Sequence, residues 1–269
     1  MIPSSRPVAR AVWRDGALCA GERVVAEETP VALTYNGATQ AVMMATPADL
    51  EDFATGFSLT EGIVATPDDI HEMDIAPAVH GIDIRMWLAG DAADRLLARR
   101  RYLLGASGCG MCGLESLAEA DRSLPVVGTP ARVAPEMVAA ALAAMTGAQT
   151  LNAATHAVHA AAFWRPEGPL LLREDVGRHN ALDKLVGAMA RAGADPAEGL
   201  VLLSSRISVE MVQKAAMLGA PVLVAISAPT ALAIRTAGRA GITLVGVARA
   251  DGFEIFTHPN RITDRSDVG

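Results

Sequence analysis

Four short aliphatic runs, "PLLLRE", "LVLLSS", "PVLVAIS" and "ITLVGVA", alternate with longer helical stretches from residue 168 onward. None shows the in-out alternation of a half-exposed strand, so both faces of each are expected to be covered. Such runs separated by helices predict a parallel sheet between helical layers, an α/β arrangement. The helical stretches are "RHNALDKLVGAMARAG", "SVEMVQKAAMLGA" and "PTALAIRTAGRAG". Gly193, Gly219 and Gly241 end them, as helix C-cap chemistry prefers.

The first hundred residues have a different texture. Residues 22–45 predict two strands about Asn36-Gly37, a strong hairpin signal. Thr46 is expected as an N-cap with Pro47 at the first helical position. Leu50, Phe53, Ala54, Phe57 and Leu59 follow at near-helical spacing, so one face should pack on the hairpin. Residues 79–88 alternate as a strand, and 91–104 read as a helix. A glycine-rich stretch, "GASGCGMCG" at 105–113, then precedes short helices at 114–121 and from Pro135 to about Met145. The division expected is a small α+β domain over 1–125 that ends in the cysteine loop, followed by an α/β domain over 126–269.

A chain of 269 residues that is 51% hydrophobic can bury a full core. Its net charge of −7 argues against binding to nucleic acid or to a membrane surface. A phosphate group would have to be held locally, by a few placed arginines and helix N-termini. Three cysteines are too few for a secreted disulfide scaffold, and "MIPSSRPVAR" lacks a signal-peptide apolar run. The apolar stretch 221–234 is interrupted by Ser227 and Pro229 and is too short to span a bilayer. A reduced, cytoplasmic protein is expected.

In a sheet of this kind, loops at the carboxyl ends of the strands form one rim, where helix N-termini point their free N–H groups. Three loops fall there: "REDVGRHN" (173–180), "SSRIS" (204–208) and "SAPT" (227–230). They carry Arg173, Arg178, His179 and Asn180, then Ser205 and Arg206, then Ser227 and Thr230. Any one of these corners alone would read as ordinary capping. Three together, two of them with arginine, point to a phosphate or nucleotide ligand. Neither a P-loop nor a G-x-G-x-x-G after a strand is present. Glu174 and Asp175 are adjacent and point opposite ways in extended chain, so they do not form a catalytic pair. One should orient an arginine or histidine, and the other should face a cap.

Cys109 and Cys112 are spaced C-x-x-C between Gly108, Gly110 and Gly113. A closed zinc site needs four ligands; His156 and His159 could complete one, but the gap is far longer than a zinc finger's. The His-x-Glu of a zinc deaminase is missing. A thioredoxin-type pair would follow a strand and open a long helix, which this pair does not. A reactive thiol on a glycine-rich loop fits better. Glycines let another active site approach the backbone, and the start of a helix favours thiolate. Arg99, Arg100 and Arg101 lie upstream. The zinc-bearing, non-catalytic cofactor-binding chaperone stays as the second reading, with no metal expected under the first.

The segments "GCGMCG", "EDVGRHNALDK", "SSRISVEMVQKAA", "APVLVAISAPTALAI" and "FEIFTHPNRI" occur here in the order found in the FdhD family of formate dehydrogenase accessory proteins, which the chain resembles from about residue 22 to its end. The resemblance implies a sulfur carrier, a sulfurtransferase working through a cysteine persulfide. Its sulfur would come from a cysteine desulfurase. It would pass to the molybdenum (or tungsten) of a bis(molybdopterin guanine dinucleotide) cofactor, ahead of insertion into formate dehydrogenase. A cytidine deaminase-like three-layer domain without the zinc site and a homodimer are also implied. By motif position Cys109 would bear the persulfide, with Cys112 as its partner. The stretch Phe253, Glu254, Ile255, Phe256, Thr257 and His258 would lie at the cofactor. His179, Arg206, Ser227 and Thr230 on the rim complete the expected cofactor-binding set, and a guanine nucleotide should act as a cofactor mimic. Two departures stand out: His156 where glycine is common, and Ser205 in place of the glycine of "SGR".

Overall fold

The computed structural model describes residues 2–90, 92, 96, 123–128 and 130–263. Cys109 and Cys112, Arg99 to Arg101, most of 91–104 and the expected helix at 114–121 lie outside the described residues.

The chain opens with a long antiparallel hairpin, β1 (Ser5–Arg14) and β2 (Ala17–Ala26). Asp15 and Gly16 both take positive φ, 52° and 77°, which is the two-residue turn that a right-twisted hairpin prefers. Residues 22–26 therefore belong to this ribbon and not to the next hairpin. The turn pair Asp15-Gly16 was its sequence signal. Asn36 and Gly37, at 48° and 79°, make the same turn between β3 (Thr29–Tyr35) and β4 (Ala38–Ala45), as expected.

A four-stranded sheet of order β4-β3-β6-β5 adds β5 (Ile70–Ala78) and β6 (Gly81–Leu88). Its inner face presents Val31, Leu33, Ile82, Ile84 and Met86 to Phe53, Ala54 and Phe57 of α1 (Leu50–Thr60), and Leu96 belongs to the same core. Thr46 is not the N-cap of α1. Asp49 occupies that place in a left-handed conformation, and buried Thr46 is instead drawn into the second half of the chain. Its N–H donates to Asp175 Oδ2 at 2.9 Å, and its hydroxyl accepts from the N–H of Val176 at 3.1 Å.

The second sheet has the order β12-β11-β10-β9-β7-β8, comprising β7 (His159–Trp164), β8 (Leu171–Asp175), β9 (Leu200–Leu203), β10 (Val222–Ala225), β11 (Thr243–Arg249) and β12 (Gly252–Ile255). In this sheet the neighbouring pairs β9–β10 and β10–β11 are parallel; β7 runs against both β8 and β9, and β12 against β11. The expectation of a parallel sheet is corrected to a mixed one. Alanine-rich β7 carries no alternation that would have marked it as the reversing strand.

Helices α4 (Arg178–Ala192), α5 (Val209–Leu218) and α6 (Ala231–Ala240) bury Leu182, Leu185, Val212 and Ala237 on one face, against Phe163, Leu203 and Leu223. On the other face α2 (Pro135–Ala148) packs Val138, Ala141 and Met145 against Leu202, Val224 and Val245. The result is three layers. Gly193, Gly219 and Gly241 take φ of 62°, 81° and 73° as C-caps. α3 (Thr150–Thr155) ends on exposed His156, also left-handed at φ 55°. Glycine is the cheap residue for that conformation, and the histidine side chain faces solvent.

α1 and α4 cross with almost no side-chain layer between them. A Cβ on Gly56 would stand 1.7 Å from the carbonyl oxygen of Asp183, and one on Gly187 1.9 Å from that of Asp52. Only glycine allows this approach.

Candidate functional site

Because β7 reverses direction against both its neighbours, β8, β9, β10 and β11 all point the same way. Their carboxyl ends share one rim, and the three expected corners fall on it. Two of these corners are stitched together: Ile207 bridges Pro229, Thr230 N–H donates to Ile207 at 3.0 Å, and Ile226 N–H donates to Leu203 at 3.1 Å.

The charges of "EDVGRHNALDK" divide into two groups. Most serve the contact with α1 and the chain just before it. Asp175 accepts from Gly177 N–H, from Asn180 Nδ2 at 2.9 Å and from Thr46 N–H, and pairs with Lys184 Nζ at 2.7 Å. Lys184 also donates to the carbonyl of Thr46 at 2.8 Å. Asp183 meets Lys214 Nζ at 2.9 Å, and Thr60 donates to Asp183 at 2.6 Å. Glu61 adds a further acceptor to Lys214 at 3.0 Å. Burial alone would push the Lys214 ammonium down, but the carboxylates of Asp183 and Glu61 hold it above the ordinary lysine range. Arg173, expected on the rim as a cation for a ligand, is instead bound to Asp52 at 2.6 Å, and Arg191 joins the same carboxylate at 2.9 Å. Glu174 accepts from the N–H groups of Leu151 and Asn152 at 2.8 and 2.7 Å, at the start of α3. One of the adjacent acids thus faces a cap, as expected; the other orients a lysine, where an arginine or histidine had been expected.

The remaining polar groups are unspent. Arg178 Nε and His179 Nε2 at the start of α4, and Ser208 Oγ and Glu210 Oε2 at the start of α5, are buried without a hydrogen-bond partner among the described residues. Neither helix has a side-chain N-cap bond: Gly177 stands at one start and Ser208 at the other. Burial and the positive charges of Arg178 and Lys214 push His179 down to about 4, against the opposing pull of Glu210 and Glu61, so its ring is neutral near pH 7. Burial would raise Glu210, yet Ser208, its own backbone N–H, His179 and Arg178 outweigh that and hold it below the usual range. His159, across the register from Asp175, is lowered by burial and by Arg178. Together these groups offer two cationic or dipolar donors and one anionic acceptor. A ligand with both phosphate and N–H edges matches such a mixture. Buried polar groups left unpaired cost about 1–3 kcal/mol each, so Arg178 Nε and His179 Nε2 on adjacent residues are a notable concentration.

The other expected cofactor-binding residues are spread along the sheet edge. Arg206 is exposed at the second corner, and half-buried Ser227 stands at the third. The Thr230 hydroxyl accepts from Ala233 N–H and so caps α6. Phe253 packs on the α2 side of the sheet and Phe256 on the opposite side, while Glu254 and Ile255 are exposed on the edge strand β12. Thr257 and His258 lie at the other end of β11 from the rim. Thr257 donates to Ile242 and accepts from Leu244 N–H, and a His258 ring nitrogen lies 3.0 Å from the carbonyl of Gly238. The structure therefore gathers Arg206, Ser227, Thr230 and His179 at one end, with Phe253 near it, and sets Thr257 and His258 apart.

Ser208, Glu210 and Arg249 did not stand out in the sequence. Ser208 and Glu210 resemble ordinary helix-opening residues. Arg249 donates to the carbonyl of Ile226 where β10 leaves the sheet. Between them β11 is irregular: Val247 has φ 51°, unusual for a β-branched residue, and its N–H donates to Ser227 at 3.2 Å. Gly246 precedes it, where a Cβ would come within 2.9 Å of Pro229 and 3.0 Å of Phe256.

The model of the FdhD/NarQ family matches residues 26–263. A protein of Agrobacterium fabrum named sulfur carrier protein FdhD is 54% identical over 261 residues, covering 96% of each chain. One of Brucella abortus with the same name is 54% identical and covers 97% of each chain. A crystal structure from Desulfotalea psychrophila, described as a formate dehydrogenase accessory protein, superposes with a TM-score of 0.75 at 26% identity, over 97% of this chain and all of that one. With the family model spanning most of the chain and relatives at this identity along nearly its whole length, the chain belongs to the FdhD/NarQ family.

Proposed function

We propose that the protein is a sulfur carrier serving formate dehydrogenase, with Cys109 as the carrying atom. The observation that carries this reading is the 54% identity, over 96% of both chains, to a protein named sulfur carrier protein FdhD, together with the C-x-x-C set among glycines. A Cys109 thiolate attacks the outer sulfur of a persulfide on a cysteine desulfurase. One S–S bond forms as another breaks, and the desulfurase leaves as thiolate. For release, the Cys112 thiolate attacks Cys109 Sγ: a Cys109–Cys112 disulfide forms as the persulfide S–S bond breaks, and the outer sulfur leaves as sulfide with the electron pair of that bond. The acceptor is the metal of a bis(molybdopterin guanine dinucleotide), which the protein binds as a substrate.

The rim fits such a substrate. Uncapped starts of α4 and α5, with Arg178 and Arg206, suit phosphate. The Glu210 carboxylate would repel phosphate but accepts well from the N–H edge of a guanine base. The two domains 1–125 and 126–269, a cytidine deaminase-like order for the three layers, a homodimer and a cytoplasmic location belong to the same reading.

Incubation with an active desulfurase and cysteine should add one sulfur to the peptide holding Cys109 and Cys112. The adduct should vanish in Cys109→Ser. An unmodified peptide in the wild type would refute the carrier role. Calorimetry should show guanosine diphosphate binding, weakened by Arg206→Ala; no binding at high ligand concentration would remove the rim as the cofactor's seat.

A further inference from the structure

Helix α6, "ALAIRTAGRA", carries two arginines and no acid to pair with them. Arg235 and Arg239 are four residues apart, so they leave the same side of the helix, and both are exposed. Like charges at that spacing destabilise a helix. Arg239, in the last turn, suits the helix dipole; Arg235, in mid-helix, has no such use. The Arg235 guanidinium has no hydrogen-bond or ion-pair partner among the described residues.

Gly238 stands on the same side, three residues ahead of the Gly241 C-cap. Glycine within a helix is less stable than alanine, and no left-handed φ calls for it here. Packing does not call for it either: a Cβ would meet nothing nearer than Thr257 Cγ2, at 3.8 Å. Two local costs thus fall on one stretch of helix, and that stretch is concave. Leu232, Arg235, Gly238 and Arg239 line an open cleft of about 570 Å³, the size of a small-ligand site. Local rules broken together, with no gain in packing, mark functional ground. Thr257 and His258, which the rim leaves aside, stand beside this backbone, with a His258 ring nitrogen 3.0 Å from the Gly238 carbonyl.

We propose that this cleft is a seat for a small diphosphate ester, separate from the rim. Its phosphates lie between Arg235 and Arg239, over the bare backbone of Gly238, and its organic part rests on Leu232. Two guanidinium forks one turn apart, about 5–6 Å at their Cβ atoms, suit a diphosphate better than a single carboxylate. Glycine lets the anion approach the helix where any side chain would fill the floor. Leu232, the second residue of α6, is the end nearer the rim, and Arg239 lies about 10 Å farther along the axis. The inference does not rest on sulfur carriage.

Calorimetry on the full chain tests it, with inorganic diphosphate and uridine diphosphate as probes. Both should bind. Arg235→Gln should weaken each by about 10-fold or more, the scale of one charge-assisted hydrogen bond. Gly238→Met should weaken binding to a similar extent while the melting temperature holds or rises, because its side chain fills the cleft without a clash in the fold. Uridine diphosphate should bind more tightly than inorganic diphosphate, and Leu232→Asn should remove that difference. No binding at millimolar ligand overturns the inference, as does binding that ignores both Arg235→Gln and Gly238→Met. Binding lost in Arg206→Ala but kept in Arg235→Gln would put the anion on the rim and overturn the separate seat. Equal affinity for the two probes would overturn an ester as the ligand.

Discussion

Lys184 Nζ stands 2.7 Å from Asp175 Oδ2, with neither side chain exposed to solvent. The lysine also donates to the Thr46 carbonyl, so the pair ties α4 to the segment that leads into α1. Removing one partner leaves an uncompensated buried charge. Lys184→Met should cost about 3–5 kcal/mol in denaturant unfolding. Lys184→Met combined with Asp175→Asn should recover part of that loss, because no lone charge remains. An additive double variant would contradict the coupling.

The crossing of α1 and α4 predicts a second sensitive point. Gly187→Ala puts a methyl group into the backbone of Asp52, and Gly56→Ala does the same against Asp183. Either should destabilise by about 3 kcal/mol or more, since backbone and not a side chain must give way. Gly147→Ala, on α2 with open space around its Cβ position, should be neutral or slightly stabilising and serves as the control.

His179 makes stability depend on pH. Its folded value near 4 lies below the unfolded histidine value of about 6.5, so between these the unfolded chain holds more protons. The contribution is full above about pH 6.5 and is lost as the pH falls toward 4, amounting to roughly 2–3 kcal/mol. Unfolding curves for wild type and His179→Gln over this window should diverge, with the variant less dependent on pH. Parallel curves would mean that the ring titrates normally.

His156 pays for a left-handed conformation at the end of α3. His156→Gly should stabilise by about 1 kcal/mol, measured by thermal unfolding, because the side chain makes no buried contact that glycine would lose.

The aliphatic runs, the three glycine C-caps and the alignment of three polar corners were all legible in the sequence, because each is a local pattern. The reversal at β7 was not, since "HAAAF" has neither alternation nor a breaker to set its direction. Nor was the destination of the charges in "EDVGRHNALDK". Asp175, Asp183 and Lys184 find their partners more than a hundred residues away, in Thr46 and Thr60, or through Lys214 on another helix. From sequence alone a buried ion network and a charged ligand site look alike. Only the packing of α1 on α4 separates Asp175, Asp183 and Lys184 from Arg178 and His179, whose Nε and Nε2 have no hydrogen-bond partner among the described residues.

Leu96 sits in the first core and Val127 in the second, and the two cores are joined through α1 and α4. The chain carrying Cys109 is therefore moored at both ends to a single body. Thirteen Cα–Cα steps lead from Leu96 to Cys109, so contour length alone bounds the distance between them at about 45 Å. Under the proposed carrier role, any donor or acceptor of the sulfur has to come within that distance of Leu96. Transfer to an acceptor held by the same chain would then be first-order in protein, with a rate that dilution does not slow.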